Sequence, residues 1–414
     1  GAIIPSYPAS RELCALGGMI GNNSGGELTL RYGKTADYVE SLDVVLADGS
    51  KTTLRPLSQS ELAQKEAESG LEADIYRKVH DLILENHDEI DRARPIVTKN
   101  SAGYALWDVW NDAKGTFDLT RLIVGSQGTL ALVTRARMKL MRLKPHRAMM
   151  VVFLKDIHDL PDVVHLVMKF QPESFESYDD QTFKLAVRFL PQIVSHLGFV
   201  KMLQLAFAFL PEMGMVATGG VPKLVLMAEF AEDTLEAARE KAREARIALT
   251  DLPVQSKLAF HEMDAKKYWT IRRESFALLR KNLRGFYASP FIDDLVVPIE
   301  SYPEFIPTLN KLLKQYDLIY TIAGHIGNGN FHIIPLMNLS DEKARHTIME
   351  LTPKVYELVA KFHGSTTGEH NDGIIRTPYL KTMFSPKMLE LFAEIKKIFD
   401  PLNILNPGKK VGGT

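Results

Sequence analysis

Along this chain the spacing of apolar positions changes period, and each change marks an element. Two β-branched apolar runs, Leu318–Ala323 and Phe331–Met337, flank a Gly324-His325-Ile326-Gly327-Asn328-Gly329-Asn330 centre. Asn-Gly between such runs predicts a hairpin, because a type I′ turn needs positive φ at both central residues. With Asn328 and Gly329 at the turn, counting places His325 opposite His332, and opposed Cβ atoms lie roughly 4.5–5.5 Å apart. Further strands are predicted at Tyr38–Leu46, Lys51–Leu54, Leu122–Val124, Ala131–Leu140, Met149–Leu154 and Leu224–Phe230. Residues 59–95 read as mostly helical, capped by Ser60, with Ile75, Val79, Leu82 and Ile83 at helical spacing. Helices are also predicted at Leu160–Phe170, Thr234–Leu249, Tyr302–Tyr316 and Pro353–Phe362.

From Met149 onward, single strands alternate with helices, which predicts an antiparallel sheet covered on one face. Pro145 marks a boundary, and 414 residues suggest two or three domains. The divisions read from the pattern are 1–145, 146–375 and 376–414, with an apolar helical insertion at about 180–216. That insertion, Phe183 to Met215, carries Phe189, Leu190, Ile193, Leu197, Phe199, Leu203, Phe207 and Leu210. It reads as a buried helical pair, or as an exposed surface for a membrane or a partner.

Composition narrows the field. With 45% apolar residues, 24% charged and a net charge of −1, the chain offers no electrostatic case for nucleic acid binding. One cysteine, Cys14, excludes an internal disulfide framework, fits a reducing compartment and reads as a small core residue. No run approaches the roughly 18 apolar residues of a membrane span. A cytoplasmic protein is expected, with peripheral contact at the inner face of the membrane as the further option. The chain opens on a turn-rich segment holding Pro5 and Pro8, so an N-terminal portion is expected to be missing.

Two opposed imidazoles can hold one transition metal. A third ligand is expected from Gly368-Glu369-His370-Asn371-Asp372-Gly373. Neighbouring side chains of an extended segment point to opposite sides, so Glu369 and His370 suit different tasks, metal and substrate. The plain alternative is a glycine-rich hairpin with satisfied surface histidines and an unrelated polar loop. The cluster Gly17-Gly18-Met19-Ile20-Gly21-Asn22-Asn23-Ser24-Gly25-Gly26 allows backbone to approach a ligand closely, and alone reads as a structural loop. It is no dinucleotide fingerprint, since no buried strand enters it and no Gly-x-Gly-x-x-Gly opens a helix.

Four motifs in order carry a resemblance. They are Pro8-Ala9-Ser10 with the Gly17–Gly26 cluster, Gly125-Ser126-Gln127-Gly128-Thr129-Leu130, the His325/His332 hairpin, and Gly368-Glu369-His370. Asn403-Ile404-Leu405-Asn406-Pro407-Gly408-Lys409 follows them at the end of the chain. The combination resembles the FAD-linked 2-hydroxyacid dehydrogenases of the vanillyl-alcohol-oxidase-type flavoprotein superfamily, a group that includes D-lactate dehydrogenase, the glycolate oxidase flavin subunit and D-2-hydroxyglutarate dehydrogenase. The resemblance implies an α+β chain: an incomplete FAD-binding (PCMH-type) domain, a ferredoxin-like antiparallel-sheet substrate (cap) domain with a helical insertion, and a C-terminal segment returning to the FAD domain. It implies that Ser10, Gly17, Gly18, Gly21, Asn22, Asn23, Gly26, Gly125, Gln127, Gly128, Val133 and Asn406 line FAD. It implies His325, His332 and Glu369 as ligands of a divalent metal (zinc first, with manganese or iron as alternatives) and His370 as the base. Arg272, or its neighbour Arg273, is implied to bind the substrate carboxylate.

The implied reaction is oxidation of a lactate-like D-2-hydroxy acid to the 2-oxo acid, with hydride passing from Cα to FAD and on to an unidentified acceptor, in a homodimer. Three departures stand out. The subdomain with a pyrophosphate-binding glycine loop that relatives carry before this point is expected to be missing, Gln127 replaces a common glutamate, and Ile334 stands where the hydroxyglutarate enzyme has a substrate-binding asparagine. Alternatives are a non-redox flavin transferase of the alkyl-glycerone-phosphate synthase type, a metal hydrolase without flavin, and an inactive fragment unable to hold FAD.

Overall fold

Apolar faces sort the chain into two units, Gly1–Leu143 with His363–Thr414, and Lys144–Phe362. The computed structural model describes residues 1–180, 182, 220–261, 264–273, 285 and 287–413. The apolar insertion predicted at about 180–216 lies, from 183 onward, outside the described residues.

In unit 1 the glycine cluster opens as a helix, α1 (Leu16–Asn22), closed by Asn23 in the left-handed conformation. Its Met19 and Ile20 are buried, which pulls the segment out of the loop expected for it. Cys14, just before it, is only half-buried and is no core residue. Strands β1 (Val39–Val45) and β2 (Lys51–Leu54) pair antiparallel through the predicted tight turn. The helical stretch divides into α2 (Gln59–Glu66), α3 (Leu71–Glu85) and α4 (His87–Ala93). The cap is Ser58, not Ser60: Glu61 N donates to Ser58 Oγ while Ser58 N donates to Glu61 Oε2 at 2.8 Å, a reciprocal capping box. Leu122–Val124, expected as a strand, instead falls at the end of a helical turn, α5 (Thr120–Ile123). The reason is local: Asp118 Oδ1 accepts from Thr120 N at 3.0 Å and starts the turn, which a three-residue apolar run cannot reveal. β3 (Leu132–Met138) completes a three-stranded sheet in the order β2-β1-β3.

Unit 2 is one antiparallel sheet. Its strands are β4 (His146–Leu154), β5 (Ser174–Asp179), β6 (Leu224–Glu232), β7 (Gln255–Ala259), β8 (Ile319–His325) and β9 (Asn330–Met337), in the order β7-β4-β6-β5-β8-β9, with Tyr287–Ala288 beyond β9. Helices α6 (Leu160–Met168), α7 (Leu235–Ile247), α8 (Tyr302–Leu313) and α9 (Glu342–Lys361) accompany it. Both sheet faces are covered at the centre, not one. Met149, Val151 and Phe153 pack with Tyr178, Val225 and Met227 under Tyr268 and Ile271, while the alternate residues Met150, Val152 and Leu154 are also buried. Each such side chain contributes roughly 1.5–3 kcal/mol of burial.

The hairpin forms with a different register. Ile326–Asn328 make a short 3-10 turn and Gly329 alone takes positive φ, +64°, so the loop is longer than a two-residue turn. His325 therefore pairs with Asn330, and His332 with Ala323. The two histidines stay on one sheet face but are diagonal neighbours, not opposed.

The chain rejoins unit 1 at His363, earlier than residue 375. The loop there is drawn in by hydrogen bonds, Ser101 N to Thr367 O at 3.0 Å and Ser101 Oγ to Gly368 O at 3.0 Å. The final helix, α10 (Pro386–Phe399), places Met388, Leu391, Phe392, Ile395 and Phe399 in the core of unit 1. Among the described residues no helix is long and apolar enough to cross a membrane.

Candidate active-site residues

In unit 1, four segments distant in sequence meet around α1. Gly125 N and Gln127 N donate to the carbonyls of Ile20 and Gly21 at 2.9 and 2.8 Å. Asn371, held at φ +68°, donates from Nδ2 to Gly125 O at 2.9 Å and to Asn22 O at 3.2 Å. Gly373 N donates to Gln127 Oε1, and Asn406 Nδ2 donates to Gln127 O at 2.7 Å. Asn22 Nδ2 reaches Glu369 O at 2.8 Å, which fastens the Glu369-His370 loop to the glycine helix. Asn23 Oδ1 accepts from Ala36 N. Arg376 reinforces that loop by donating to the carbonyls of Thr366 and Asn371. Thus Gly21, Asn22, Asn23, Gly125, Gln127, Asn406 and Glu369 are brought together.

The glycines divide by cause. Gly26 is demanded by packing, since a Cβ there would lie 2.5 Å from Tyr7 O. At Gly17, Gly18 and Gly128 a Cβ would meet nothing within 4 Å. Glycine within a helix costs roughly 0.5–1 kcal/mol against alanine. With no packing reason for Gly17 or Gly18, what they supply is backbone free of side chains at the start of α1. Ser10 is exposed, its carbonyl turned to Leu13 N and Cys14 N; Val133 lies half-buried on β3, paired with Val44. Among the described residues no hydrogen bond ties either to this network.

Glu369 is held by a lysine that the sequence reading missed. Lys99, with a fully buried side chain, pairs with Glu369 Oε2 at 2.8 Å, while Glu369 Oε1 lies 3.9 Å from His370 Nε2. The His370 side chain is 42% exposed, open enough to meet a ligand. Deeper in the unit, Lys410 is completely buried against Asp372 at 2.9 Å and donates to the carbonyls of Ser101 and Gly103. Burial lowers its pKa and Asp372 opposes that shift.

Unit 2 builds the histidine pair. The rings of His325 and His332 stand 5.4 Å apart at 87°. His325 Nδ1 lies 2.7 Å from Glu176 Oε1, and His332 Nδ1 lies 3.0 Å from Asp293 Oδ1. A carboxylate accepts, so each Nδ1–H faces a carboxylate, the arrangement of a metal-ligating imidazole backed by an acid. The donor set therefore fits a divalent ion. Glu176 also pairs with Arg272 through its second oxygen, joining that arginine to His325. Arg273 instead lies over the Trp269 ring, 4.3 Å from its centroid.

Glu176, Asp293 and Asp294 went unread in the sequence. Their signal was charge inside apolar or strand-like runs, Ser174–Asp179 and Phe291–Val297, where burial demands partners. Asp294, fully buried at φ +63°, accepts from Asn330 Nδ2 at 3.0 Å and fixes the strand that follows the loop.

Residues 143–410 match the family described as FAD linked oxidases, C-terminal domain, and residues 1–55 match an FAD binding domain family. A D-2-hydroxyglutarate dehydrogenase of Escherichia coli (strain K12) is 30% identical over 95% of this chain and 38% of its own length. The glycolate oxidase subunit GlcD of Bacillus subtilis (strain 168) is 25% identical over 99% of this chain and 70% of its own. A D-lactate dehydrogenase of Archaeoglobus fulgidus is also 25% identical, over 99% and 72%. The chain thus spans less than half the length of the hydroxyglutarate dehydrogenases it matches. Among solved structures, 4-ethylphenol oxidase from Gulosibacter chungangensis aligns at TM-score 0.63 with 15% identity, covering 99% of this chain and 72% of that one. An alkyldihydroxyacetonephosphate synthase aligns at 0.58 with 13% identity, covering 98% and 60%. Those two likenesses speak to fold alone. With one family match running through most of the sequence, the chain belongs to the FAD-linked oxidases.

Proposed function

We propose that this chain takes part in oxidising a lactate-like D-2-hydroxy acid to the 2-oxo acid. When bound, FAD would supply the hydride acceptor and a divalent ion, zinc first and manganese or iron otherwise, would acidify the substrate hydroxyl. Gly17, Gly18, Gly21, Asn22, Asn23, Gly125, Gln127, Gly128 and Asn406 would hold the flavin. His325, His332 and Glu369 would hold the ion through Nε2, Nε2 and a carboxylate oxygen. Lys99 does not exhaust Glu369, because a carboxylate offers about four acceptor sites. His370 would take the hydroxyl proton, a task that imidazole performs more often than other side chains. Arg272 would donate to the substrate carboxylate and fix the substrate's orientation. Ile334, an apolar residue on the His332 face of β9, favours a monocarboxylate over a diacid.

The observation that carries this reading is the pair of imidazoles 5.4 Å apart, each backed at Nδ1 by a buried carboxylate. The names of the relatives support the substrate class. The test is anaerobic addition of D-lactate to the FAD-supplemented chain, followed by flavin absorbance and elemental analysis. His370→Ala should lose on the order of 10²–10⁴ in turnover with metal content unchanged. His325→Ala should lose the metal. A chain that takes up no FAD, or flavin that stays oxidised with D-lactate and glycolate alike, refutes the proposal.

A further inference from the structure

We propose that Glu176 is a positioning residue that locks the carboxylate-binding arginine to one metal-ligating imidazole, and so sets the preference for 2-hydroxy over 3-hydroxy acids. The inference rests on the reading above. Glu176 sits at the middle of β5, completely buried. Strand neighbours on either side are buried too, so an apolar residue would suit the site by packing alone. A buried carboxylate persists only with partners. Two of its partners differ in kind: Oε1 accepts the Nδ1 proton of His325 at 2.7 Å, and Oε2 binds the Arg272 guanidinium.

Asp293 backs the other imidazole, with His332 Nδ1 3.0 Å from its Oδ1. Both oxygens of Glu176 sit on one carbon, so His325 and Arg272 cannot move apart without breaking a contact. Arg272 Nε has no acceptor among the described residues, leaving a donor for an incoming carboxylate. A 2-hydroxy acid separates its hydroxyl and carboxylate by one carbon, a 3-hydroxy acid by two. A clamp of fixed span favours the first.

The experiment uses the full chain with FAD and three variants: E176Q, D293N and R272K. Zinc affinity is measured by competition with a chromophoric chelator, and KM is measured at saturating zinc with D-lactate and D-3-hydroxybutyrate. E176Q keeps the shape but can accept from only one partner. It should weaken zinc about 10–100-fold, raise the D-lactate KM about tenfold and narrow the lactate-to-hydroxybutyrate ratio about tenfold. D293N should weaken zinc while leaving KM alone, and R272K should do the reverse. If E176Q moves only one of the two readouts, or neither, the coupling is overturned. If H325A keeps wild-type zinc affinity, the parent metal assignment fails and this inference falls with it; if H325A loses zinc and E176Q does not, only the inference falls. Should E176Q not fold, E176D keeps the charge but withdraws it by one methylene. Unchanged zinc affinity and KM in E176D overturn the proposal equally.

Discussion

Replacing Lys99 by methionine tests a buried charge pair of unit 1. Methionine fills the aliphatic stem but removes the ammonium 2.8 Å from Glu369 Oε2. The Lys99 side chain has no exposure and that of Glu369 has 9%, so water screens little of the loss. Breaking a buried pair from one side costs about 3–5 kcal/mol, because the remaining carboxylate loses the ammonium that offset its burial. At roughly 2–4 °C per kcal/mol for a unit of this size, the melting temperature should fall by about 6–20 °C. Differential scanning calorimetry without divalent metal is the assay. K99M with E369Q should recover most of the loss, since the buried carboxylate charge is then gone. Zinc at 100 times its Kd should return about 2.7 kcal/mol to K99M if Glu369 is a ligand. A loss below about 1 kcal/mol would refute the account, because that is the scale of an exposed pair.

Two further outcomes follow from the packing, beside those already given for His370 and Glu176. Burial pushes the Asp179 carboxyl up to about 6, against hydrogen bonds from Thr182 that pull it down. The folded chain then holds this proton to higher pH than the unfolded chain does, so stability is fullest below about pH 4 and falls as pH rises toward 6. Asp179→Asn should remove that fall, gaining about 3 kcal/mol near neutral pH and little near pH 4, as read from urea midpoints. Gly103 has φ +65°, and a Cβ there would collide with the Phe392 ring. Gly103→Ala should cost about 2–4 kcal/mol by left-handed strain and overpacking together, measured by chemical denaturation; a neutral effect would show that the ring can move aside.

Much was legible from periodicity. β2 is at its predicted bounds, and the strands at 39–45, 146–154 and 224–232 lie within a few residues of theirs, because β-branched and alternating runs leave little choice of element. The failures share a cause. The turn at Thr120 was decided by the Asp118 side chain, the first helix by burial of Met19 and Ile20, and the hairpin register by the conformation of residues 326–329. None of these is a property of apolar spacing.

The candidate chemistry divides along the same line. His325, His332, Glu369, His370 and the glycine motifs were visible in the linear chain because their spacing and residue types are unusual. Partners that orient them were not: Glu176 lies 149 residues before His325, and Lys99 lies 270 before Glu369. Sequence alone determined most of the strands and helices and displayed the residues with reactive atoms, since these follow from local pattern and side-chain chemistry. The family rested on the resemblance of four ordered motifs. Tertiary structure alone decided which carboxylate backs each imidazole and which of two adjacent arginines joins His325, because buried charges find their partners only when distant strands are brought to one face.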